Sequence, residues 1–389
     1  MRALVLADSH FNDRERFAEC VRLHEEIVEM ARDLRPDVIL HAGDLYERAS
    51  TPTEREAVAD FVQACASIAP VVVVRGNHDA RHDIEHLRRL RAAHPIWALE
   101  DPQLVEVGGM AIAALPWPRK AAVLAHCESA GHAADTAADG LRAILRGLGN
   151  ELEAAGKPSV LLSHAMVRGS KTSTGQQLVG CDFELGLEDL DLCRAHAYAL
   201  GHIHMRQEWS IGNLPVFYPG SPRRSNIGER EEKGVSLLTW NGTYRQFKVE
   251  YIPTSAIPMV LCEADYYSET YSPESTAPAG LYFSDHSHEG PDECAVKGAE
   301  VRLRYNVSEG DRRDARRCAE YWIARALEAG AIDAQIEERV AVETRARAPE
   351  LATAQTLVDQ LRVFWESNGT TPDAETSARL TEKLKEIES

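Results

Sequence analysis

Five short motifs made of Asp, Asn, His and Gly occur in the first half of the chain. They are Asp8-Ser9-His10, Gly43-Asp44, Gly76-Asn77-His78-Asp79, His164 and Gly201-His202-Ile203-His204. Imidazole, carboxylate and amide groups together form a donor set that suits manganese, iron or zinc, whereas calcium and magnesium favour oxygen alone. Two carboxylates, one amide and at least four imidazoles give seven candidate ligands, which exceed what one ion with open positions needs. They suit two ions about 3.5–4 Å apart that hold the attacking and leaving oxygens of a phosphoryl displacement.

Turn formation is the alternative explanation, because strands commonly end in Gly, Asn and Asp. Gly43-Asp44 on its own fits a plain turn. Histidine is not explained in this way. It recurs after successive apolar runs as His10, His78, His164, His202 and His204. The recurrence favours one site at which the motifs converge.

The elements that must position these residues are short strands. The apolar runs before the five motifs are RALVLA, DVIL, VVVV, SVLLS and AHAYAL. Between the first three, residues 14–34 and 53–68 have helical patterns, the second opened by Pro52 and Thr53. Strands that alternate with helices predict an α/β sheet, whose ligands gather beyond the carboxyl ends of the strands. We therefore expect the motifs to meet at one rim.

Length and composition indicate a globular protein of two to three domains. The chain has 389 residues, of which 44% are hydrophobic and 27% charged. No apolar run reaches the roughly 18–20 residues of a membrane span, and the N-terminal one is short for a signal peptide, so a cytoplasmic location is expected. The eight cysteines include no C-x-x-C pair, which argues against a zinc knuckle or a disulfide framework.

The charge is unfavourable for binding nucleic acid without a partner. The net charge is −18, with 28 basic and 35 acidic side chains in residues 1–250 and 15 and 26 in residues 251–389. Binding to phosphates relies on Lys and Arg. A local cationic groove, a bound metal or a basic partner would still allow a polyanion to bind.

The ordered motifs resemble those of the calcineurin-like metallophosphoesterases, which are D-x-H, G-D, G-N-H-[DE], a lone H and G-H-x-H. This resemblance implies a four-layer β-sandwich flanked by helices, with two divalent metal ions, of which Mn²⁺ is the expected one. It implies that one ion is bound by Asp8, His10 and His204. It implies that the other is bound by Asn77, His164 and His202, and that Asp44 bridges both.

The resemblance gives His78 a different role, since it implies that this residue faces the scissile phosphate and protonates or stabilises the leaving oxygen. A histidine whose pKa is near neutrality suits that task. Asp79 either orients the His78 ring or caps the turn, and the sequence leaves both alternatives open.

Longer stretches resemble the nuclease subunit of SbcC and SbcD type DNA repair complexes. They are AGDLYERASTPTEREAVADFVQACA, VVVVRGNHD, ALPWPRKAA and FYPGSPRR. The resemblance implies a manganese-dependent DNA exonuclease and endonuclease that forms a homodimer. Some relatives carry a histidine shortly after the G-D motif, where this chain has Glu47. A phosphodiesterase or phosphatase for nucleotides or phosphoproteins is the alternative, and a scaffold without catalysis is disfavoured because all seven ligands are present.

Three domains are expected: a nuclease domain at 1–250, a small α/β capping domain at 251–345, and C-terminal helices at 346–389. In the second, AEVRLRYNV alternates like a half-buried strand, and Ser308 can cap a helix that Gly330 ends. The short terminal helices have apolar faces that must be buried. They pack on the preceding domain or, as the resemblance implies, residues 350–389 dock on the coiled coil of an SbcC-type ABC ATPase.

Four cations near the motifs are candidates for contacting the DNA backbone. They are Arg168, Lys171, Arg223 and Arg224. The stretch RGSKTSTG that contains the first two lacks the order of a phosphate-binding loop, so ATP binding by this chain is not expected. Exposed cations often serve solubility alone, which is the alternative for each of the four.

Overall fold

A computed structural model describes residues 1–118, 137–173, 184–267, 280–283 and 296–340, together with residues 365, 373, 376, 378–380 and 383. Its largest part contains two six-stranded sheets. The first has the order β14-β13-β1-β2-β3-β4, with β1 (Arg2–Leu6), β2 (Val38–His41), β3 (Val71–Val74), β4 (Ile96–Leu99), β13 (Gly234–Asn241) and β14 (Gln246–Pro253). Strands β1 to β4 are parallel, and β13 runs antiparallel to β1.

The second sheet has the order β11-β12-β10-β7-β6-β5. It contains β5 (Gln103–Val107), β6 (Met110–Leu115), β7 (Ser159–His164), β10 (Ala197–Gly201), β11 (Gln207–Ile211) and β12 (Leu214–Tyr218). Strands β6, β7, β10 and β12 are parallel, and β5 and β11 are antiparallel edges. A small ladder joins β8 (Met166–Val167) to β9 (Glu184–Leu185).

Helices cover the outer face of each sheet. They are α1 (Phe17–Leu34), α2 (Pro52–Ala66), α3 (Ala137–Ala155) and α4 (Leu187–Leu190), with 3₁₀ turns at Glu85–Arg89 and Asp191–Cys193. The first predicted helix begins three residues later than expected. The second begins at Pro52, where the Thr51 side chain and Glu54 form a reciprocal capping box.

Alternate side chains of each central strand enter different cores, which explains why these strands are apolar without interruption. Leu4 and Val73 pack beneath α1 and α2, whereas Val5 and Val72 pack against residues of the second sheet such as Val160. A third core lies between the second sheet and α3. The predicted four-layer β-sandwich flanked by helices is therefore confirmed.

The C-terminal part contains a four-stranded sheet in the order β16-β15-β17-β18. Its elements are β15 (Met259–Tyr267), β16 (Gly280–Phe283), β17 (Glu300–Val307), α5 (Arg312–Glu328) and β18 (Asp333–Val340). The predicted strand at Val301 to Tyr305 is present with buried alternate residues, and the Ser308 hydroxyl accepts a hydrogen bond from the Asp311 N–H, as expected of a cap. Gly330 follows the helix with φ 99°.

The described residues form two compact units. One comprises Met1–Glu263, Phe283–Arg304 and Ala319–Glu337, and the other comprises the described residues of Ala264–Tyr282, Tyr305–Cys318 and Glu338–Ser389. The predicted boundaries after residues 250 and 345 remain a prediction. The predicted terminal helices within 346–389 fall almost wholly outside the described residues. Among the helices that are described, none is both long and apolar enough to cross a membrane.

Candidate metal centre and active site

The five motifs meet at one place, although they follow strands of two different sheets. Strands β1, β2 and β3 belong to the first sheet, and β7 and β10 belong to the second. The expectation of a single sheet rim is corrected in this respect. The two sheets stack so that the carboxyl ends of these strands adjoin, and the His202 N–H donates to an Asp8 carboxylate oxygen at 2.9 Å.

Four of the expected ligands have a backbone conformation that residues other than glycine seldom adopt. The φ angles are 55° at Asp8, 46° at His10, 56° at Asp44 and 105° at His202. Each such residue costs on the order of 1–3 kcal/mol and persists only where its surroundings enforce it. Strain at these positions, directly after parallel strands, is typical of a functional site.

His10 and His204 form one half of the site. Their Nε2 atoms lie 2.9 Å apart, while the Nδ1 atom of His10 lies 2.9 Å from Glu47 and that of His204 lies 3.2 Å from Glu229. The Nδ1 atom of His204 is directed at Glu229 and that of His10 lies beside Glu47, so both Nε2 atoms point into the same space. A cation bound there would contact both rings, and Asp8 offers a carboxylate oxygen within 4.8 Å of the ring nitrogens.

The other half of the site is centred on Asn77. Its Oδ1 atom lies 2.9 Å from both His164 Nε2 and His202 Nδ1. The His164 Nδ1–H donates to the Ala42 carbonyl at 2.7 Å, so Nε2 is the ring nitrogen that is directed at the Asn77 amide. The amide oxygen and the two ring nitrogens are ligand atoms that a metal ion at this position would bind.

Asp44 lies between the two halves. Its Oδ2 atom is 3.3 Å from His164 Nε2 and 3.7 Å from His10 Nε2. Burial by itself raises the pKa of the Asp44 carboxyl, but the charge and hydrogen bond of His164 and the charge of His10 outweigh it, so the pKa lies well below its usual value. Burial lowers the pKa of His202 to about 3, which keeps that ring neutral and able to bind a metal.

The donors therefore fit two divalent ions, and Asp44, which lies between the two halves, would be the residue that both ions share. Bound there, the ions would polarise the phosphoryl oxygens of a substrate. Trp117, from the ALPWPRKAA stretch, packs its ring 4.9 Å from that of His202 and 5.8 Å from that of His164, centre to centre. This contact limits the rotation of both rings.

His78 lies beside the metal ligands but is more accessible than any of them, with 40% of its side chain exposed. Its ring centre is 5.0 Å from that of His10. Its Nδ1–H donates to the Glu47 carbonyl at 2.7 Å, and its backbone N–H donates to Asp44 at 2.9 Å. This leaves Nε2 as the nitrogen that a substrate can reach, and the contact of His78 with a leaving oxygen stays a prediction.

Asp79 braces the turns that carry the ligands. Its carboxylate accepts hydrogen bonds from the backbone N–H groups of Gly76 at 2.8 Å, Asp44 at 3.0 Å and Tyr46 at 3.0 Å. Among the hydrogen bonds of the described residues, none joins it to the His78 ring. Of the two alternatives that the sequence left open, the geometry therefore favours the turn, and a catalytic role for Asp79 is not supported.

Gly76 is required because its backbone lies very close to Asp44, and not because the turn demands a positive φ. A Cβ atom at this position would overlap the Asp44 carboxylate and its backbone nitrogen. Its φ is not among the positive values, unlike that of Gly43, at 94°. The strand that precedes Asn77 can thus press directly against the bridging carboxylate.

The four candidate DNA contacts divide into two pairs. Arg168 and Lys171 are exposed, and Arg168 forms an ion pair with Glu188 at 3.0 Å. Arg223 and Arg224, by contrast, are only 4% and 9% exposed.

The buried pair is bound to the protein's own carbonyl groups. Arg223 donates to the His10 carbonyl, and Arg224 donates to the carbonyls of Glu229 and Glu231. Their expected role on the DNA backbone is corrected, because buried guanidinium groups already held by protein oxygens hold the loop together instead of facing solvent.

A chain of buried hydrogen bonds lies behind the D-x-H motif. The Gly43 N–H donates to His41 Nδ1 at 3.2 Å, so His41 must carry its proton on Nε2, which donates to Ser9 Oγ at 2.8 Å. The Ser9 hydroxyl then donates to His24 Nε2 at 2.8 Å, and His24 Nδ1–H donates to the Cys20 carbonyl at 2.7 Å. Burial lowers the pKa of His41 to about 3 and of His24 to about 4, which agrees with neutral rings.

Sequence reasoning did not assign the residues that support the ligand histidines, which are Glu47, Ser9 and Glu229. Glu47 was noted only as a departure, yet its carboxylate holds the His10 ring. Ser9 occupies the variable position of D-x-H, and nothing in the sequence marks Glu229 as a partner of His204. The number of ligand histidines gave one signal. A histidine that binds a metal through Nε2 needs a hydrogen-bond acceptor at Nδ1, so acceptors were to be expected near these rings.

Comparison with known proteins gives one family match and several similar solved structures. Residues 1–206, more than half of the chain, match the family model described as Calcineurin-like phosphoesterase. Among similar solved structures, TT1561 of Thermus thermophilus is 14% identical, with a TM-score of 0.39 over 64% of this chain and 98% of that one. A dimetal phosphatase from Danio rerio is 11% identical, with a TM-score of 0.40 over 61% and 92%.

A putative 5'-nucleotidase from Staphylococcus aureus is 16% identical, with a TM-score of 0.40 over 70% of this chain and 56% of the other. The family match covers every predicted metal ligand from Asp8 to His204. With the ligand geometry and the family model in agreement, the chain belongs to the calcineurin-like phosphoesterases, a family of metal-dependent phosphoester hydrolases.

Proposed function

We propose that this phosphoesterase is a manganese-dependent DNA nuclease of the SbcD type, which hydrolyses phosphodiester bonds in exonuclease and endonuclease modes. The observation that carries the proposal is an open groove beside the metal centre, with a volume of about 510 Å³. The groove is lined by His202 and His204 at one side and by Leu261 and Arg304 of the C-terminal sheet at another. A substrate that extends beyond the reacting phosphate suits such a groove.

Three polar side chains of the groove suit a nucleic-acid substrate. They are Thr172, Ser173 and Asn226. Hydroxyl and amide groups commonly bind phosphate and sugar oxygens. The exposed cations Arg168 and Lys171 lie just before Thr172 in the chain, and they are the remaining candidates for contacts with the DNA backbone.

The residues of this chain divide the work of hydrolysis. Asp8, Asp44 and the ligand histidines would hold the two ions, whose positive charge would act on the reacting phosphoryl group. His78, in its protonated form, delivers the Nε2 proton to the leaving oxygen, while the Glu47 carbonyl holds Nδ1 and so fixes the ring. The mixed nitrogen and oxygen ligands favour manganese over calcium or magnesium.

Two further parts of the proposal concern assembly. We propose that residues 350–389 dock on the coiled coil of an SbcC-type ABC ATPase and that the nuclease domains form a homodimer. The net charge of −18 supports a partner, because an acidic chain benefits from a basic surface supplied by another protein when it binds DNA. Isolation of the protein from its native host, followed by mass spectrometry of what is bound, tests the assembly.

The decisive experiment compares substrates and one variant. Wild-type protein with Mn²⁺ should cleave linear DNA with a higher kcat/KM than a cyclic nucleotide or a phosphopeptide. His78→Gln should lower kcat on DNA by about 10²–10⁴-fold with unchanged metal content and folding. His82→Gln, at a neighbouring and more than half-exposed position, is the matched control and should cleave normally.

A preference for the cyclic nucleotide or phosphopeptide would replace the nuclease by the alternative phosphodiesterase or phosphatase. Cleavage of DNA by the His78 variant at the wild-type rate would remove His78 from the leaving-group role while leaving the nuclease itself in place.

A further inference from the structure

A buried lysine lies next to the metal centre in the loop that precedes β13. The Lys233 side chain is fully buried, and its Nζ atom lies 2.6 Å from a Glu229 carboxylate oxygen and 2.7 Å from a Glu231 oxygen. The Glu229 carboxylate, 3% exposed, reaches His204 Nδ1 with its other oxygen at 3.2 Å. The ion pair of Lys233 and Glu229 is therefore in direct contact with the His204 ring, which faces the metal site.

Burying an ammonium group is unfavourable unless its N–H groups find acceptors. Lys233 meets this condition, because it also lies 3.2 Å from the His204 carbonyl and 3.1 Å from Ser221 Oγ. The same ammonium group therefore contacts the backbone of His204 and the carboxylate that holds the His204 ring. A lysine that served only to close the loop would not need both contacts.

We propose that Glu229 and Lys233 are positioning residues of the metal centre, which fix the ring of His204 with Nδ1–H on the carboxylate and Nε2 directed at the metal. A carboxylate on the far nitrogen of a ligand histidine selects the tautomer, fixes the ring plane and increases the basicity of the metal-binding nitrogen. Lys233 holds Glu229 in the orientation that this requires. The role concerns metal binding alone and does not depend on which phosphoester is the substrate.

Glu231 provides a matched control within the same loop. It forms the same kind of ion pair with Lys233, and it also accepts a hydrogen bond from Ser173 Oγ at 2.8 Å. No contact between Glu231 and a metal ligand is present among the described residues. Glu231→Gln therefore weakens the loop without touching His204, whereas Glu229→Gln changes the partner of the ring.

The test is titration of metal-free protein with Co²⁺, followed by calorimetry and by visible absorption, which reports the ligands and geometry of the ion. Glu229→Gln should weaken the ion bound by His204 by about 10–100-fold and alter its absorption bands. The ion bound by Asn77, His164 and His202 should keep its affinity. Glu231→Gln should change neither affinity by more than about threefold, by the same reasoning.

Lys233→Met should weaken the same ion as Glu229→Gln does. The double variant Glu229→Gln/Lys233→Met, which avoids an unpaired buried charge at position 229, should be no weaker than either single variant, because the two residues act as one unit. If one of the single variants fails to fold, the double variant is measured in its place. Wild-type affinity and spectrum in Glu229→Gln or in the double variant would overturn the proposal, and so would an equal loss in Glu231→Gln. Because DNA is absent from the experiment, its result is independent of the proposed nuclease activity.

Discussion

Replacing Ser9 by alanine should destabilise the protein by several kcal/mol, although Ser9 binds neither metal nor substrate. Its hydroxyl, fully buried, is the one group that joins His41 to His24. The direction of the hydrogen bonds is fixed from the Gly43 N–H at one end to the Cys20 carbonyl at the other. Removal of the hydroxyl therefore leaves His41 with an unpaired N–H donor and His24 with an unpaired acceptor.

The magnitude follows from these two orphaned groups. A buried polar group that loses its partner costs about 1–3 kcal/mol, so the variant should lose about 2–6 kcal/mol of unfolding free energy. This is a large share of the roughly 5–15 kcal/mol that stabilises a typical domain. Because Ser9 lies between Asp8 and His10, whose backbone is strained, the metal affinity should fall as well.

Equilibrium unfolding in urea, followed by circular dichroism in the presence of EDTA, measures the effect without any contribution from bound metal. Ser236→Ala is the matched control: it lies in β13 opposite Val5 of β1, is fully buried, and its hydroxyl finds no hydrogen-bond partner in the part of the chain that the structure describes. The control should change the unfolding free energy by less than about 0.5 kcal/mol. Equal stability of the Ser9 variant and the control would refute the hydrogen-bond chain.

Three further outcomes are expected. Burial lowers the pKa of His24 to about 4, so the unfolded chain takes up this proton first, and His24 by itself should lower the unfolding free energy by about 3 kcal/mol between pH 6.5 and 4. His24→Asn should remove that contribution from the pH dependence measured in urea titrations at several pH values. Burial raises the pKa of Cys65 to about 12, so iodoacetamide should label the half-buried Cys318 well before Cys65 in the folded protein, as read by peptide mass spectrometry. Gly76→Ala should abolish binding of Mn²⁺, measured by metal analysis after gel filtration, because its Cβ would displace Asp44.

Much of the metal centre could be predicted from local sequence. The apolar runs identified β1, β2, β3, β7 and β10, and the residue types after them indicated the candidate ligands. The formation of strands and turns depends on residues that are close in the chain, and the ability to bind a metal depends on the type of side chain. Both can therefore be recognised in the sequence. The residues that hydrogen-bond to the ligand histidines were not predictable in this way. The partner of His204, for example, is Glu229, which lies 25 positions away in a loop without regular structure.

Burial of charge was the property that sequence reasoning misjudged. Arg223 and Arg224 follow a turn and have the composition of an exposed basic pair, but the fold surrounds them with carbonyl oxygens from other segments. Lys233 is another buried cation, whose acceptors come from residues 204, 221, 229 and 231. Whether a cation faces solvent or stabilises a loop depends on what is packed over it, and that information is not local.

The sequence by itself determined the residue types of the candidate ligands and the strands that precede them. Only the tertiary structure decided that two sheets, and not one, bring the motifs together, with the N–H of His202 bound to Asp8 across 194 positions of the chain. It also decided between the alternatives for Asp79. The physical reason is the range of the interactions: side-chain chemistry and strand formation are local, whereas a hydrogen-bond partner is set by whichever distant segment the packing of the cores brings within about 3 Å.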